Sequence, residues 1–279
     1  MKTWFITGAS RGFGALIAER ALANGDNVVA TARNPAAVTQ RLGNHPNLLA
    51  VALDVTDEEQ AKAAAARAID RFGQIDVLLN NAGFGLLGAV EEATSAEIEA
   101  LYRTNVFGLL AVTRAVLPYM RARRSGRILN ISSIGGYRSG AGFGVYCSTK
   151  FAVEGLSEAL YAELAPLGIH VTVVEPGYFR TDFLDSTSLT VSPSSIADYS
   201  ETAGAVRTRA AGLNHGQPGD PNRLAEVLVD FVDAPNPPVR LPLGSDTVAA
   251  IEAKHASDAA ILAEWRKVSV STDFAAAAE

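Results

Sequence analysis

Short β-branched and apolar runs alternate with alanine- and leucine-rich stretches along the first 180 residues, and that alternation admits few architectures. Thr3 to Thr7, Asn27 to Ala32, Leu48 to Leu53, Ile75 to Asn80, Arg127 to Ser132 and Ile169 to Glu175 read as strands. Gly12 to Ala23, Ala61 to Phe72, a long stretch from Ser95 towards Arg123, and Tyr146 to Leu164 read as helices. Ser95, with Ile98 and Glu99 close behind, has the look of a capping box at the start of the long one. Strand–helix–strand units join parallel strands by crossovers and cover both faces of a sheet. The expected fold class is therefore α/β, a doubly wound parallel sheet of about seven strands in a single domain.

The pattern changes after Pro176. Residues 182–219 are polar and poor in strand signals, which suits a surface excursion or lid. Beyond them Leu224 to Val232 reads as a helix, Pro238 to Leu243 as a last strand and 245–268 as a helical extension, with Leu262 and Trp265 expected to pack it onto the body. Ala275 to Ala278 is expected to fray.

The turn after the first strand, Thr7-Gly8-Ala9-Ser10-Arg11-Gly12-Phe13-Gly14, runs straight into the first helix. In that setting glycines permit a tight turn and let backbone N–H groups and a helix N-terminus approach a pyrophosphate. An acidic residue at the end of the second strand would hold the ribose 2′-hydroxyl of NAD. Thr31-Ala32-Arg33 stands there instead, and Arg33 with Arg11 offers guanidinium groups to a 2′-phosphate. NADP(H) is thus the expected cofactor; the bland alternative is that both arginines are simply solvated.

Between Ser133 and Lys150 the chain reads SIGGYRSGAGFGVYCSTK. On a helix Tyr146 and Lys150, four apart, share a face. An ammonium nearby stabilises a phenolate and draws its pKa down from about 10, so such a tyrosine can give or take a proton. Ser133, after an apolar strand, adds a hydroxyl donor. Taken alone, a YxxxK pair is also common on exposed amphipathic helices.

Together these residues resemble the short-chain dehydrogenase/reductase family. The resemblance rests on Thr7 to Gly14, Asp54-Val55, Asn80-Asn81-Ala82-Gly83, Asn105, Ser133, Tyr146 with Lys150, and Pro176-Gly177 through Thr181, in the family's order. It implies a Rossmann-type domain and an oxidoreductase interconverting a carbonyl and a secondary alcohol. By the same resemblance Tyr146 is the general acid/base, Ser133 holds the substrate oxygen, and Lys150 binds the nicotinamide ribose and lowers the tyrosine pKa. Asn105 holds a water of the proton relay, Asp54 and Val55 meet the adenine, and Asn81, Ala82 and Gly83 line the adenosine ribose. Gly8, Ser10, Arg11, Gly12, Phe13, Gly14 and Arg33 complete the dinucleotide site, with Pro176, Gly177 and Thr181 at the carboxamide. Phe13, where the family often has isoleucine or leucine, and Cys147, where a small residue is usual, are the two departures. The later portion looks somewhat like hydroxysteroid and retinol dehydrogenases, which implies a small apolar ketone or alcohol. The resemblance also implies a homodimer or homotetramer.

Two other classes compete. A non-catalytic NADP-binding sensor or scaffold would not need Asn105, Ser133, Tyr146 and Lys150 together, and an epimerase or dehydratase of the extended relatives would have another glycine spacing and a larger substrate domain. A net charge of −6 gives no general basic field for nucleic acid or anionic membrane. The four histidines are scattered without metal-site spacing, and Cys147, the one cysteine, reads as a wall residue rather than a nucleophile. Arg121, Arg123, Arg124 and Arg127 read as a solvated cluster at a helix end. No run is long and apolar enough for a membrane span and no secretory signal is visible, so a cytoplasmic protein is expected.

Overall fold

The computed structural model describes residues 1–274, so Ala275 to Ala278 lie outside the described residues. The strands are β1 Thr3–Thr7, β2 Asn27–Ala32, β3 Leu48–Ala52, β4 Val77–Asn80, β5 Gly85–Leu87, β6 Gly126–Ile131, β7 Ile169–Pro176, β8 Leu189–Val191 and β9 Arg240–Leu243. The helices are α1 Gly12–Ala23, α2 Pro35–Leu42, α3 Glu58–Phe72, α4 Ser95–Tyr102, α5 Leu109–Arg123, α6 Gly144–Leu164, α7 Ala205–Leu213, α8 Pro221–Phe231 and α9 Ser245–Val270.

Seven strands form one parallel sheet in the order β3-β2-β1-β4-β6-β7-β9. Strand alternation supplies both cores. Trp4 and Ile6 of β1 face α1, α2 and α8, while Phe5 between them faces α3, α5 and the end of α6. All three side chains are fully buried. Growth of the sheet reverses between β1 and β4, which opens a crevice at the carboxyl ends of those two strands. The doubly wound Rossmann-like fold expected from the alternation is what forms.

Several elements differ from expectation. The long helix is three pieces: α4 and α5 flank a π-helical segment, Arg103–Gly108. Its start is capped by Thr94, whose hydroxyl accepts from Glu97 N while the Glu97 carboxylate accepts from Thr94 N, so the box sits one residue earlier than Ser95. Within 182–219 the chain forms β8, paired in parallel with β5, and helix α7. Arg207 of α7 anchors this excursion by donating to the buried Glu92 carboxylate at 2.7 Å.

The outer part of α9 departs most. Leu262 and Trp265 are 57% and 55% exposed and, among the described residues, belong to no buried cluster, because α9 meets the body chiefly at β9 and the loop after β6. Three arginines read as solvated are tied down: Arg123 pairs with Asp76 at 2.8 Å, Arg127 donates to the Ala234 carbonyl at 2.9 Å, and Arg124 donates to the Pro166 carbonyl. Among the described residues no helix is long and apolar enough to cross a membrane.

Candidate active site

The glycine turn is shaped by two left-handed residues and one close contact. Gly8 and Gly12 have φ of 67° and 55°, a region that costs a side chain strain. Gly14 lies where a Cβ would come within 2.5 Å of the Gly8 carbonyl oxygen, so α1 can start directly under the turn only without a side chain there. Asn81, at the end of β4, fastens this turn across the sheet. Its Nδ2 donates to the carbonyls of Thr7 and Gly8 at 2.9 and 3.1 Å, while the backbone N–H groups of Asn81 and Ala82 donate to Thr7 Oγ1. The switch point is thereby held open at a set width.

A cleft of about 1160 Å³ runs from this turn along the carboxyl edge of the sheet. Gly8, Ser10, Arg11, Gly12, Phe13, Arg33, Asp54, Val55, Asn81, Ala82 and Gly83 line one end, and Ser133, Tyr146, Lys150, Pro176, Gly177 and Thr181 the other. Its length and polar glycine end fit an elongated dinucleotide. Arg33 is exposed at the rim and forms no ion pair among the described residues. Arg11, paired with it in the sequence reading, donates to the Thr187 carbonyl of the excursion at 2.5 Å. Asp54 Oδ1 accepts from Thr56 N and Oγ1 at 3.0 and 2.8 Å, which orients the carboxylate at the end of β3.

Two of the expected site residues do not line the cleft. Gly14 lies beneath the turn. Asn105 is buried in the π-helical segment, a local geometry that recurs at functional sites. Its side chain accepts from Phe84 N at 3.1 Å and donates to Phe84 O at 2.9 Å and Thr149 Oγ1 at 3.2 Å. A Cβ on Gly83 would lie 3.1 Å from Asn105 Oδ1 and 3.9 Å from Lys150 Nζ, so Gly83 leaves the gap between the two residues clear.

At the other end, Ser133 leaves β6 with extended backbone and caps the short turn Ile134–Gly136, its Oγ accepting from Gly135 N at 3.0 Å. Tyr146 and Lys150 come from the first two turns of α6 and are both buried. Lys150 Nζ donates to the Ile131 carbonyl at 2.8 Å and sits 5.8 Å from the Tyr146 ring centre. Phe143 and Phe183 flank the tyrosine with ring centres at 6.0 and 5.5 Å. Gly135 matters here because a Cβ would meet Cys147 Sγ at 3.1 Å, with Ser133 Oγ and Tyr146 Cε1 close behind.

The electrostatics correct one expectation. Burial pushes the Tyr146 phenol above its ordinary value, and a hydrogen bond with Ser133 opposes this. Lys150 is not among the groups that draw it down. The reason is symmetrical: burial also penalises the Lys150 ammonium and brings it down to about 8, with Glu154 resisting. Two desolvated groups each move towards neutrality.

Asp246, in the first turn of α9, was not foreseen. Its carboxylate accepts from Tyr178 N at 2.8 Å and lies against Gly177 in the lining of the same cleft. The only sequence signal was an acidic residue at a helix start, which the helix dipole already accounts for.

Residues 2–191 match the family described as short chain dehydrogenase. "Oxidoreductase BOA17" of Botryotinia fuckeliana (strain B05.10) is 39% identical over 277 residues, covering 97% of this chain and 99% of that protein. A "3-ketodihydrosphingosine reductase" of Bacteroides thetaiotaomicron is 38% identical over 240 residues, 86% of each. The crystal structure of a short-chain dehydrogenase from Streptomyces avermitilis superposes with a TM-score of 0.91 at 44% identity, covering 98% of this chain and 99% of that one. With the glycine turn, the switch-point cleft and Ser133, Tyr146 and Lys150 gathered at its far end, these likenesses place the chain in the short-chain dehydrogenase/reductase family of NAD(P)-dependent oxidoreductases.

Proposed function

We propose that the protein is an NADP(H)-dependent reductase or dehydrogenase that interconverts a carbonyl and a secondary alcohol, with Tyr146 as the general acid/base. One observation supports this reading above the others: a single cleft joins the glycine turn and the exposed Arg33 at one end to the half-buried Ser133 and the buried Tyr146 and Lys150 at the other. NADP(H), when bound, supplies or accepts the hydride. In the direction of reduction Ser133 Oγ and the Tyr146 hydroxyl donate to the carbonyl oxygen, where negative charge develops, and Tyr146 gives up its proton. Lys150 holds the nicotinamide ribose and steadies the phenolate left behind. Asn105 positions a water of the proton relay. Arg33 and Arg11 meet the 2′-phosphate, and Pro176, Gly177 and Thr181 meet the carboxamide.

The substrate end supports an apolar ketone or alcohol, since Phe143, Phe183 and Leu184 form much of its wall. Residues 182–219 act as its lid, fastened to the glycine turn through Arg11 and Thr187. Phe107 and Phe151, 58% and 45% exposed on the π-helical segment and on α6, support a homodimer or homotetramer formed through those helices. Sedimentation showing only monomer would remove that part.

The deciding experiment is NADPH oxidation screened over steroids, retinoids and aliphatic and aromatic ketones, with Tyr146→Phe as control. Turnover in the variant is expected to fall about 10²- to 10⁴-fold while NADPH still binds. Retention of most turnover would refute the role of Tyr146.

A further inference from the structure

Behind the cleft lies a cluster of charges that the proposed chemistry does not use. Glu154, one turn beyond Lys150 on α6, and Glu175, near the end of β7, are both buried, at 3% and 0% exposure. Arg240 of β9 reaches both: its Nη1 donates to Glu154 Oε2 at 2.5 Å and to Glu175 Oε1 at 2.8 Å, and its Nη2 to Glu158 Oε1 at 2.8 Å. Glu158 is more than half exposed and leaves its charge in solvent. The two buried carboxyl groups therefore share one cation. Among the described residues nothing donates a hydrogen bond to Glu154 Oε1 or Glu175 Oε2. Two carboxylates cannot both ionise cheaply in such a place, and one of them retains a proton near neutrality.

The cluster touches the catalytic loop directly. A Cβ on Gly136 would lie 2.5 Å from Ser132 Oγ and 2.9 Å from Glu154 Oε1, so the turn after Ser133 rests on this carboxyl group. The Arg240 guanidinium stacks 5.4 Å over the ring of Tyr137, whose hydroxyl meets His255 of α9. Glu154 is thus faced by Lys150 and Glu158 on its own helix, Glu175 from β7, Arg240 from β9 and Ser132 from the end of β6.

We propose that Glu154 is a positioning residue that keeps the buried Lys150 ammonium charged, and that Glu175 and Arg240 set how much negative charge Glu154 carries for that task. Lys150 needs such help because its hydrogen-bond partner among the described residues is an uncharged carbonyl, Ile131 O, and Glu154 is the carboxylate that counters its burial. Burial and the neighbouring Glu175 push Glu154 up to about 7, while Ser132 and Arg240 oppose. Glu154 thus gains its charge in the same range of pH in which Lys150 can lose its own, and the two ionisations act on each other. As pH rises through neutrality the lysine is held more firmly. The inference rests on the reading of Lys150 as part of the cofactor and proton-transfer site.

The chain has five lysines, so ¹³Cε-lysine NMR of the unloaded protein can follow the titration of Lys150 directly, with Lys150→Arg assigning the signal. Glu154→Gln keeps an acceptor for Arg240 but removes the charge, and is expected to lower the Lys150 midpoint by roughly one pH unit, about tenfold in proton affinity. Glu154→Asp is expected to restore part of it. Glu175→Gln frees Glu154 to ionise earlier and is expected to move the midpoint upward. Shifts of opposite sign are what a merely structural role would not produce. An unmoved midpoint in Glu154→Gln, or both variants moving it the same way, overturns the proposal; should Glu154→Gln fail to fold, a downward or absent shift in Glu175→Gln does so alone. No substrate or cofactor enters the measurement, so its failure leaves the reductase reading standing, and failure of the carbonyl screen leaves this result intact.

Discussion

Asp246 closes on Gly177 so tightly that a Cβ at residue 177 would lie 2.2 Å from its Oδ1, while Oδ2 accepts the N–H of Tyr178 at 2.8 Å. The terminal helix thereby clamps the segment that ends β7 at the cleft. Asp246→Ala is expected to cost about 1–3 kcal/mol of stability and to weaken NADPH binding, because a charge-assisted bond to a backbone N–H is lost. Gly177→Ala is expected to do at least as much. A double-mutant cycle read by urea denaturation and cofactor titration should be strongly non-additive, since Asp246→Ala removes the obstacle that the new methyl meets.

Arg33 stands exposed at the cleft rim without a carboxylate partner among the described residues. Arg33→Ala is expected to weaken NADPH roughly tenfold or more and to leave NADH nearly unchanged. Isothermal titration with both cofactors checks this. An unaltered ratio would mean that the arginine is only solvated.

Asn81 holds two backbone carbonyls of the turn, Thr7 O and Gly8 O, on one amide. Asn81→Ala leaves two acceptors short and is expected to cost about 1–3 kcal/mol in a urea melt. Cofactor affinity should fall with it, since Gly8 and Gly14 hold their spacing only while the turn stays stapled to β4.

Stability should also vary with pH in a direction that the buried cluster dictates. Glu154 binds its proton more tightly folded, at about 7, than at its ordinary 4.5, so its contribution is present in full below 4.5 and lost as pH rises through 7. Lys150 releases its proton earlier folded, at about 8, than at its ordinary 10.5, so the cost of burying its charge is relieved between 8 and 10.5. Urea midpoints at about pH 5.5, 7.5 and 9.5 should therefore dip in the middle. In Glu154→Gln the fall between the first two should shrink.

The fold was legible because its signals are local and repeated. Trp4, Phe5 and Ile6 announce a strand buried on both sides, and the glycines at 8, 12 and 14 announce a turn whose backbone no side chain could adopt or fit. The site was legible where spacing alone brings residues together, as with Tyr146 and Lys150 on successive turns of α6. The breaks in that legibility have physical causes. A π-helical segment at Arg103–Gly108 has the same apolar spacing as the helix around it, so nothing marked it. Leu262 and Trp265 look like packing residues by type, but whether a neighbour exists to receive them is a tertiary fact, and among the described residues they join no buried cluster.

Charge is where sequence and structure part furthest. By itself the sequence determined which ionisable groups exist and that Tyr146 and Lys150 share a face, and from this a lowered tyrosine followed. Only the tertiary structure decided how deeply both are buried and that Glu154, Glu175 and Arg240, from three separate elements, meet behind them. Desolvation and Coulomb forces act through space and depend on what surrounds a group, and residues 21 and 65 positions apart come into contact only once the sheet has been assembled.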